Sequence, residues 1–325
     1  MPQPSVQAVH VNRPLTNISI AYIQDADASF VFDKVFPRIL VDKKSDLYFK
    51  YAKDAFFRVD AAIRAPATES AGTGYNLTTD SYVAEVYALH DDVPDQVIEN
   101  SDAPLQPMAD STVLVTQQML LLQENLWVTT YFKTGIWGTD KVGGTDFSQW
   151  SDFAGSDPIS DVRAGIKQVL SQTGFKPNTL TLGYEVWNVL QNHPDFVDRV
   201  KYGGTPDKPS VVNLSAMAQI FGIERVLVAE GIIATANENN PTQTYGFVAG
   251  NNALLSYAPK APGLRIPSAG YCLYWRGMSR GLGTPIVVKN FPMLQLEATR
   301  VEAETAVAMK LVGSDLGYFL SNAAA

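Results

Sequence analysis

Apolar and polar positions alternate for longest towards the end of the chain, between Glu297 and Asn322. Odd positions Val301, Ala303, Thr305, Val307, Met309 and Leu311 are apolar or small. Even positions Arg300, Glu302, Glu304 and Lys310 carry charge, and only Ala306 and Ala308 interrupt them. A period of two held from 300 to 311 predicts one β-strand about twice the ordinary length, with one face buried and the other solvated or paired. Such a strand does not fit easily inside one compact domain. Glu302 and Glu304 share a face with Arg300, which points to salt-bridge pairing rather than acid–base catalysis. Gly313 to Asn322 then reads as a turn and a short apolar tail.

Two other segments read as strands rich in aromatics, 45–58 (SDLYFKYAKDAFFR) and 81–90 (SYVAEVYALH), around a small, flexible stretch at 65–76. Together they predict a long hairpin, which is barely stable alone in water and needs another surface to lie on. From Pro107 to Phe132 the period becomes helical. Val115, Met119, Leu122 and Leu126 face away from Gln117, Gln118, Glu124 and Asn125, and Asp110, Ser111 and Thr112 offer capping groups. The result is a spine helix. Pro2, Pro4, Pro14 and Pro37 punctuate residues 1–40, which read as an extended arm. Gly135 to Gly155, carrying Trp137 and Trp150, reads as a linker.

Beyond it the pattern is that of an α/β domain. Asp157 is an N-cap with Pro158 at the first helical position; Ile159, Val162, Ile166 and Val169 form one stripe, and Gly174 ends the helix. A strand over 178–182, helices over 184–192 and 214–221, and strands over 225–236, 245–257 and 270–276 follow.

Composition narrows the function classes. The 325 residues are 46% hydrophobic and 18% charged, with 14 Tyr and 15 Phe, which suits cores and subunit interfaces alike. A net charge of −8 disfavours binding a polyphosphate backbone by counterion release. No membrane span or signal peptide is visible. The single cysteine, Cys272, lies in an apolar run and reads as a structural thiol. His10, His90 and His193 are far apart in sequence, and no nucleophile elbow, phosphate loop or HExxH motif occurs. Gly72–Gly74 and Gly277–Gly283 read as turns, and the glycosylation patterns at Asn17, Asn76 and Asn213 as chance. The best metal candidate is His90-Asp-Asp-Val-Pro-Asp95, which reads rather as an acidic surface turn. No catalytic residue, metal or cofactor is expected.

The order of elements, with four stretches of sequence, carries a resemblance. Lys176 to Tyr202, with its Asn-His-Pro-Asp helix stop, Leu214 to Phe221 followed by Glu224 to Ile233, Gly250-Asn-Asn-Ala-Leu-Leu-Ser-Tyr-Ala-Pro, and Asp315-Leu-Gly-Tyr-Phe-Leu-Ser-Asn resemble segments of the major capsid proteins of tailed bacteriophages. That family has the α+β fold named after phage HK97. The resemblance implies an N-terminal arm at 1–40 lying over a neighbouring subunit and an extended hairpin, the E-loop, at 41–92. It implies a peripheral domain with the spine helix at 93–154 and an axial domain at 155–290. A long strand at 291–325 would return to the peripheral domain. It implies hexamers and pentamers in an icosahedral shell around double-stranded DNA, within a virion assembled in the host cytoplasm. The candidate intersubunit residues are Phe49, Tyr51, Phe56, Phe57, Tyr75, Tyr82, Arg300, Glu302 and Glu304. No cleaved N-terminal scaffolding region is expected; the partners implied are copies of itself, a separate scaffolding protein, a portal and a decoration protein. Some members crosslink a hairpin lysine to a neighbour's asparagine. Lys43, Lys44, Lys50 and Lys53 lie near or in the hairpin, but nothing marks the asparagine, and they read as surface lysines. The rival readings are an encapsulin-type shell of the same fold and a cytoplasmic α/β hydrolase or binding protein. The second would need a convergent pocket that the sequence does not offer.

Overall fold

Residues Ala298–Leu311 form one strand of 14 residues, and its own chain pairs its whole length. The computed structural model describes residues 24–25, 29–102, 105–201, 212–236, 242, 244–263, 266–278 and 284–325. In chain order come helix α1 (Phe32–Val35), strands β1 (Arg38–Val41) and β2 (Ser45–Tyr51), and helix α2 (Lys53–Phe57). Strands β3 (Leu77–Val83) and β4 (Glu85–Pro94) precede helices α3 (Asp95–Asn100) and α4 (Pro107–Tyr131). The second half holds β5 (Thr139–Val142), α5 (Pro158–Thr173), β6 (Thr179–Gly183), α6 (Tyr184–Asn192), α7 (Pro194–Lys201), α8 (Leu214–Phe221) and β7 (Arg225–Ala229). It closes with β8 (Ile232–Ala234), β9 (Tyr245–Phe247), β10 (Ala253–Ser256), β11 (Gly270–Trp275), β12 (Val287–Met293), β13 (Ala298–Leu311) and β14 (Gly317–Ser321).

Two five-stranded sheets carry the architecture. In the first, β13 pairs with β12 over 298–304, with β4 over 298–307 and with β11 over 307–311, and β1 runs parallel to β11. The strand does fit in one chain, because β4 and β12 flank its first part and β11 takes over from Val307. Val301 and Ala303 pack under α4 against Val93, Val115 and Met119. Ala306 and Ala308, which break the charged row, meet Tyr82, Ala84, Tyr271 and Leu273. A second layer covers the strand there, so the alternation stops where both faces are dry. The second sheet runs β5-β14-β10-β6-β7 and packs on α5, α6 and α8.

Helix α5 starts and stops where its sequence signals stand. Asp157 accepts a bond from the Ser160 amide, Pro158 occupies the first turn, and Gly174 closes it in the left-handed conformation at φ 73°. Helix α4 is capped otherwise than expected: Gln106 precedes Pro107, and no side chain caps it.

Several expectations are corrected. Residues 135–155 are no linker: β5 extends the second sheet, and Trp137 and Trp150 are buried. The apolar runs 225–236 and 245–257 are each broken, at Gly231 and around Gly250, into two strands. The hairpin strands are 45–51 and 77–83; residues 53–57 turn into α2, and 85–94 belong to the first sheet. Much of the expected arm at 1–40 lies outside the described residues. Its last part is core: Phe30, Val31, Phe32, Val35 and Phe36 are buried against Trp127, Phe132 and Trp137. Glu124, assigned to the polar face of the spine helix, is fully buried, because that segment covers it.

Candidate intersubunit surface

Strands β2 and β3 form an isolated two-stranded ribbon with two unlike faces. Register pairs Tyr51 with Leu77 and Ser45 with Val83, and alternation places Leu47 and Phe49 on that same side. All five apolar residues are exposed, Phe49 at 64%. The opposite face is polar and satisfied. Asp80 accepts from the Tyr48 hydroxyl at 3.0 Å and pairs with Lys50 at 2.9 Å. These bonds, Lys50 first, hold the Asp80 carboxyl down at about 2, while burial and then Asp80 push the Tyr48 phenol up.

At the far end Tyr51, Phe56 and Tyr75 form a ring cluster with centroids 5.9–6.5 Å apart, yet Phe56 and Tyr75 each remain 64% exposed. Phe57 lies over the end of α5, its ring 3.4 Å from where a Cβ on Gly174 would stand, and Lys53 pairs with Asp315. The ribbon is thus tethered at its far end and bare on one side. Tyr82 departs from this group: only 6% exposed, it packs in its own chain and donates to the Lys43 carbonyl. Alternation along β3 turns it to the inner face. The sequence reading missed Leu47, Leu77 and Val83; the spacing of Leu47, Phe49 and Tyr51 could have found the first.

Arg300, Glu302 and Glu304 do share a face, and their bonds run within the chain. Arg300 grips Asp92 with two bonds, of 2.6 and 2.8 Å, which hold the Asp92 carboxyl below its usual range. Lys289 pairs with Glu304. Burial, then the neighbouring Glu304, raise Glu302. Of the acidic turn at 90–95, residues 90–94 belong to β4 and Asp95 opens α3, so Asp91 points away from His90 and Asp92, and no group of three metal-type ligands converges among the described residues. Of the hairpin lysines, Lys43 pairs with Asp46, Lys50 with Asp80 and Lys53 with Asp315.

Two features have the components of catalysis without its geometry. Cys272 is buried, and burial pushes its thiol far up, which disfavours the thiolate. Ser156 Oγ stands 3.0 Å from His193 Nε2, with Asp195 nearby. However, His193 Nδ1 accepts the Asp195 backbone amide, which favours the tautomer with its proton on Nε2, facing Ser156. The serine donates to the Asp152 carbonyl. In that tautomer the imidazole donates to the serine oxygen. The arrangement fastens a loop to a helix.

No family model matches the sequence. The major capsid protein of Burkholderia phage BcepMu is 24% identical over 318 residues, 96% of each chain. A phage-related protein from Bordetella bronchiseptica RB50 shares the fold at a TM-score of 0.68 and 20% identity, over 91% of this chain and 92% of that one. The capsid structure of cyanophage P-SCSP1u does so at 0.61 and 9%, over 98% and 95%. The chain has the HK97-like fold of phage capsid proteins. The ribbon's inner face packs on the first sheet through Tyr82, and its outer face stays exposed.

Proposed function

We propose that this chain is the structural subunit of an icosahedral phage capsid, assembling with its own copies into hexamers and pentamers around double-stranded DNA. The observation that carries the reading is the outer face of the ribbon. Leu47, Phe49, Tyr51, Leu77 and Val83 form an apolar surface of regular shape that none of the other described residues covers. Soluble monomers rarely keep such a face, and a neighbour's surface is its natural cover. In a shell, symmetry repeats each contact, so a modest interface per copy closes a strong assembly. Phe56, Phe57 and Tyr75 extend the face towards the loop, and Arg300, Glu302 and Glu304 offer a charged band to a second contact. The role needs no catalytic group. The ribbon and its loop within 41–92 would be the extended hairpin, with peripheral segments at 93–154 and 291–325 and an axial domain at 155–290. A net charge of −8 suits an inner wall that contains DNA without gripping it. A separate scaffolding protein, a portal and a decoration protein complete the expected partners, and assembly in the host cytoplasm leads to a place in the virion.

Electron microscopy with light scattering of the purified protein tests this. Closed particles, or rings of five and six, are expected, with nuclease-resistant DNA in particles taken from infected cells. A chain that stays monomeric at high concentration, and also when coexpressed with its scaffolding protein, overturns it.

A further inference from the structure

Helix α4 buries a carboxyl group that the shell reading does not use. Glu124 is completely buried, and its Oε2 accepts both the Val31 and the Phe32 backbone amides at 3.0 Å. Its Oε1 is also buried and meets no hydrogen-bond partner among the described residues. We propose that Glu124 is a proton-operated latch: as a neutral acid it fastens residues 29–36 into the core, and on ionisation it loosens them.

The asymmetry of the two oxygens is the first support. A neutral acid has one strong acceptor, its carbonyl oxygen, and Oε2 takes both amides as that oxygen would. An ionised carboxylate would spread charge onto Oε1, where nothing answers it, at a large desolvation cost. The groups facing the site offer little compensation. Helix α1 brings Asp33, which opposes ionisation, and Lys34, which favours it. Arg38 on β1 pairs with Asp33. Strand β11 contributes the buried Cys272 thiol and the Tyr274 hydroxyl, which donates to Gln123. Within α4, Gln123 Nε2 and Trp127 Nε1 are further buried donors without partners among the described residues. Burial outweighs the two amides and pushes Glu124 up to about 7.

The sign follows from linkage. The closed state holds the proton more tightly than an open, hydrated state with the ordinary value of 4.5. The extra hold is complete at pH below 4.5 and is lost as pH rises through about 7. Between these limits the open fraction should rise roughly a hundredfold. Opening would draw Phe30, Phe32 and Phe36 off Trp127 and Trp137.

The test is amide hydrogen exchange at Val31 and Phe32, corrected for the intrinsic pH dependence of exchange, from pH 5 to 8.5. In the wild-type chain protection should fall by about two orders of magnitude across that range. In Glu124→Gln, which keeps the acceptor oxygen but cannot ionise, it should stay flat. Equal pH profiles in the two proteins overturn the latch. Should the variant fail to fold, a carbon-13 titration of the Glu124 carboxyl in the wild-type chain decides. An inflection near neutrality supports the proposal, and a carboxyl ionised throughout the range overturns it.

Discussion

Gly183 ends β6 where a side chain would need space that another backbone already fills. A Cβ there would lie 1.8 Å from the Gly250 carbonyl oxygen, although the φ of −66° suits any residue. The demand is for room, and backbone cannot yield cheaply. Gly183→Ala should therefore cost about 3 kcal/mol in thermal or denaturant unfolding. Gly72, which has nothing within 4 Å, is the control, and Gly72→Ala should leave stability nearly unchanged. Asp157 makes a second case at this scale. Its carboxylate caps α5 through the Ser160 hydroxyl and amide, bonds that hold it below its ordinary 3.8. Asp157→Ala should lose about 1 kcal/mol at neutral pH. A depressed carboxyl stabilises above its unfolded value and loses that contribution as pH falls through its folded one. The two melting curves should therefore converge in strong acid. A gap that stays constant there would show that the cap acts through something other than the charged form.

At the scale of elements, what the sequence revealed depended on whether an element's partners are local. Helix α5 was legible to the residue, since Asp157, Pro158 and Gly174 set its ends through bonds within a turn. Strand β13 was legible as a strand, but its place was not, because β4, β11 and β12 come from distant segments and periodicity does not name partners. The same limit hid the burial of Glu124 and of residues 29–36, each of which is covered by the other. At the ribbon, Phe49 and Tyr51 were legible as unpartnered aromatics, whereas the inward turn of Tyr82 depends on a cluster with β11 and β13. The two faces of β13 give a test. Val307 lies in the core with Trp127 and Phe319, so Val307→Asp buries an unpaired charge and should cost more than about 4 kcal/mol. Glu304→Gln removes a bond to Lys289 but also relieves Glu302, and the fold should survive with a small change in melting temperature. Equal, severe unfolding by both would mean that the charged row is as integral to the fold as the core.

For the whole molecule the question is what covers the ribbon. Each aromatic buried on a neighbour would contribute about 1.5–3 kcal/mol, which is modest for one contact and decisive when every subunit repeats it. Within the monomer the same rings contribute little, since Phe49 is 64% exposed and faces solvent on a strand held by backbone pairing and by the polar face beneath. Replacing Phe49 and Tyr51 together with Asp should therefore leave the monomer's melting temperature close to that of the wild type. It should abolish particles and rings in the electron microscope, because two charges per subunit would have to be desolvated at every contact. Changes on the inner face should behave in the opposite way. Tyr82→Asp should unfold the monomer before assembly can be assayed, since that ring packs against Tyr271, Leu273 and Ala306. If the outer-face pair unfolds the monomer as Tyr82→Asp does, the ribbon is part of its own core. The apolar face would then be no interface, and the shell would have to close through other surfaces.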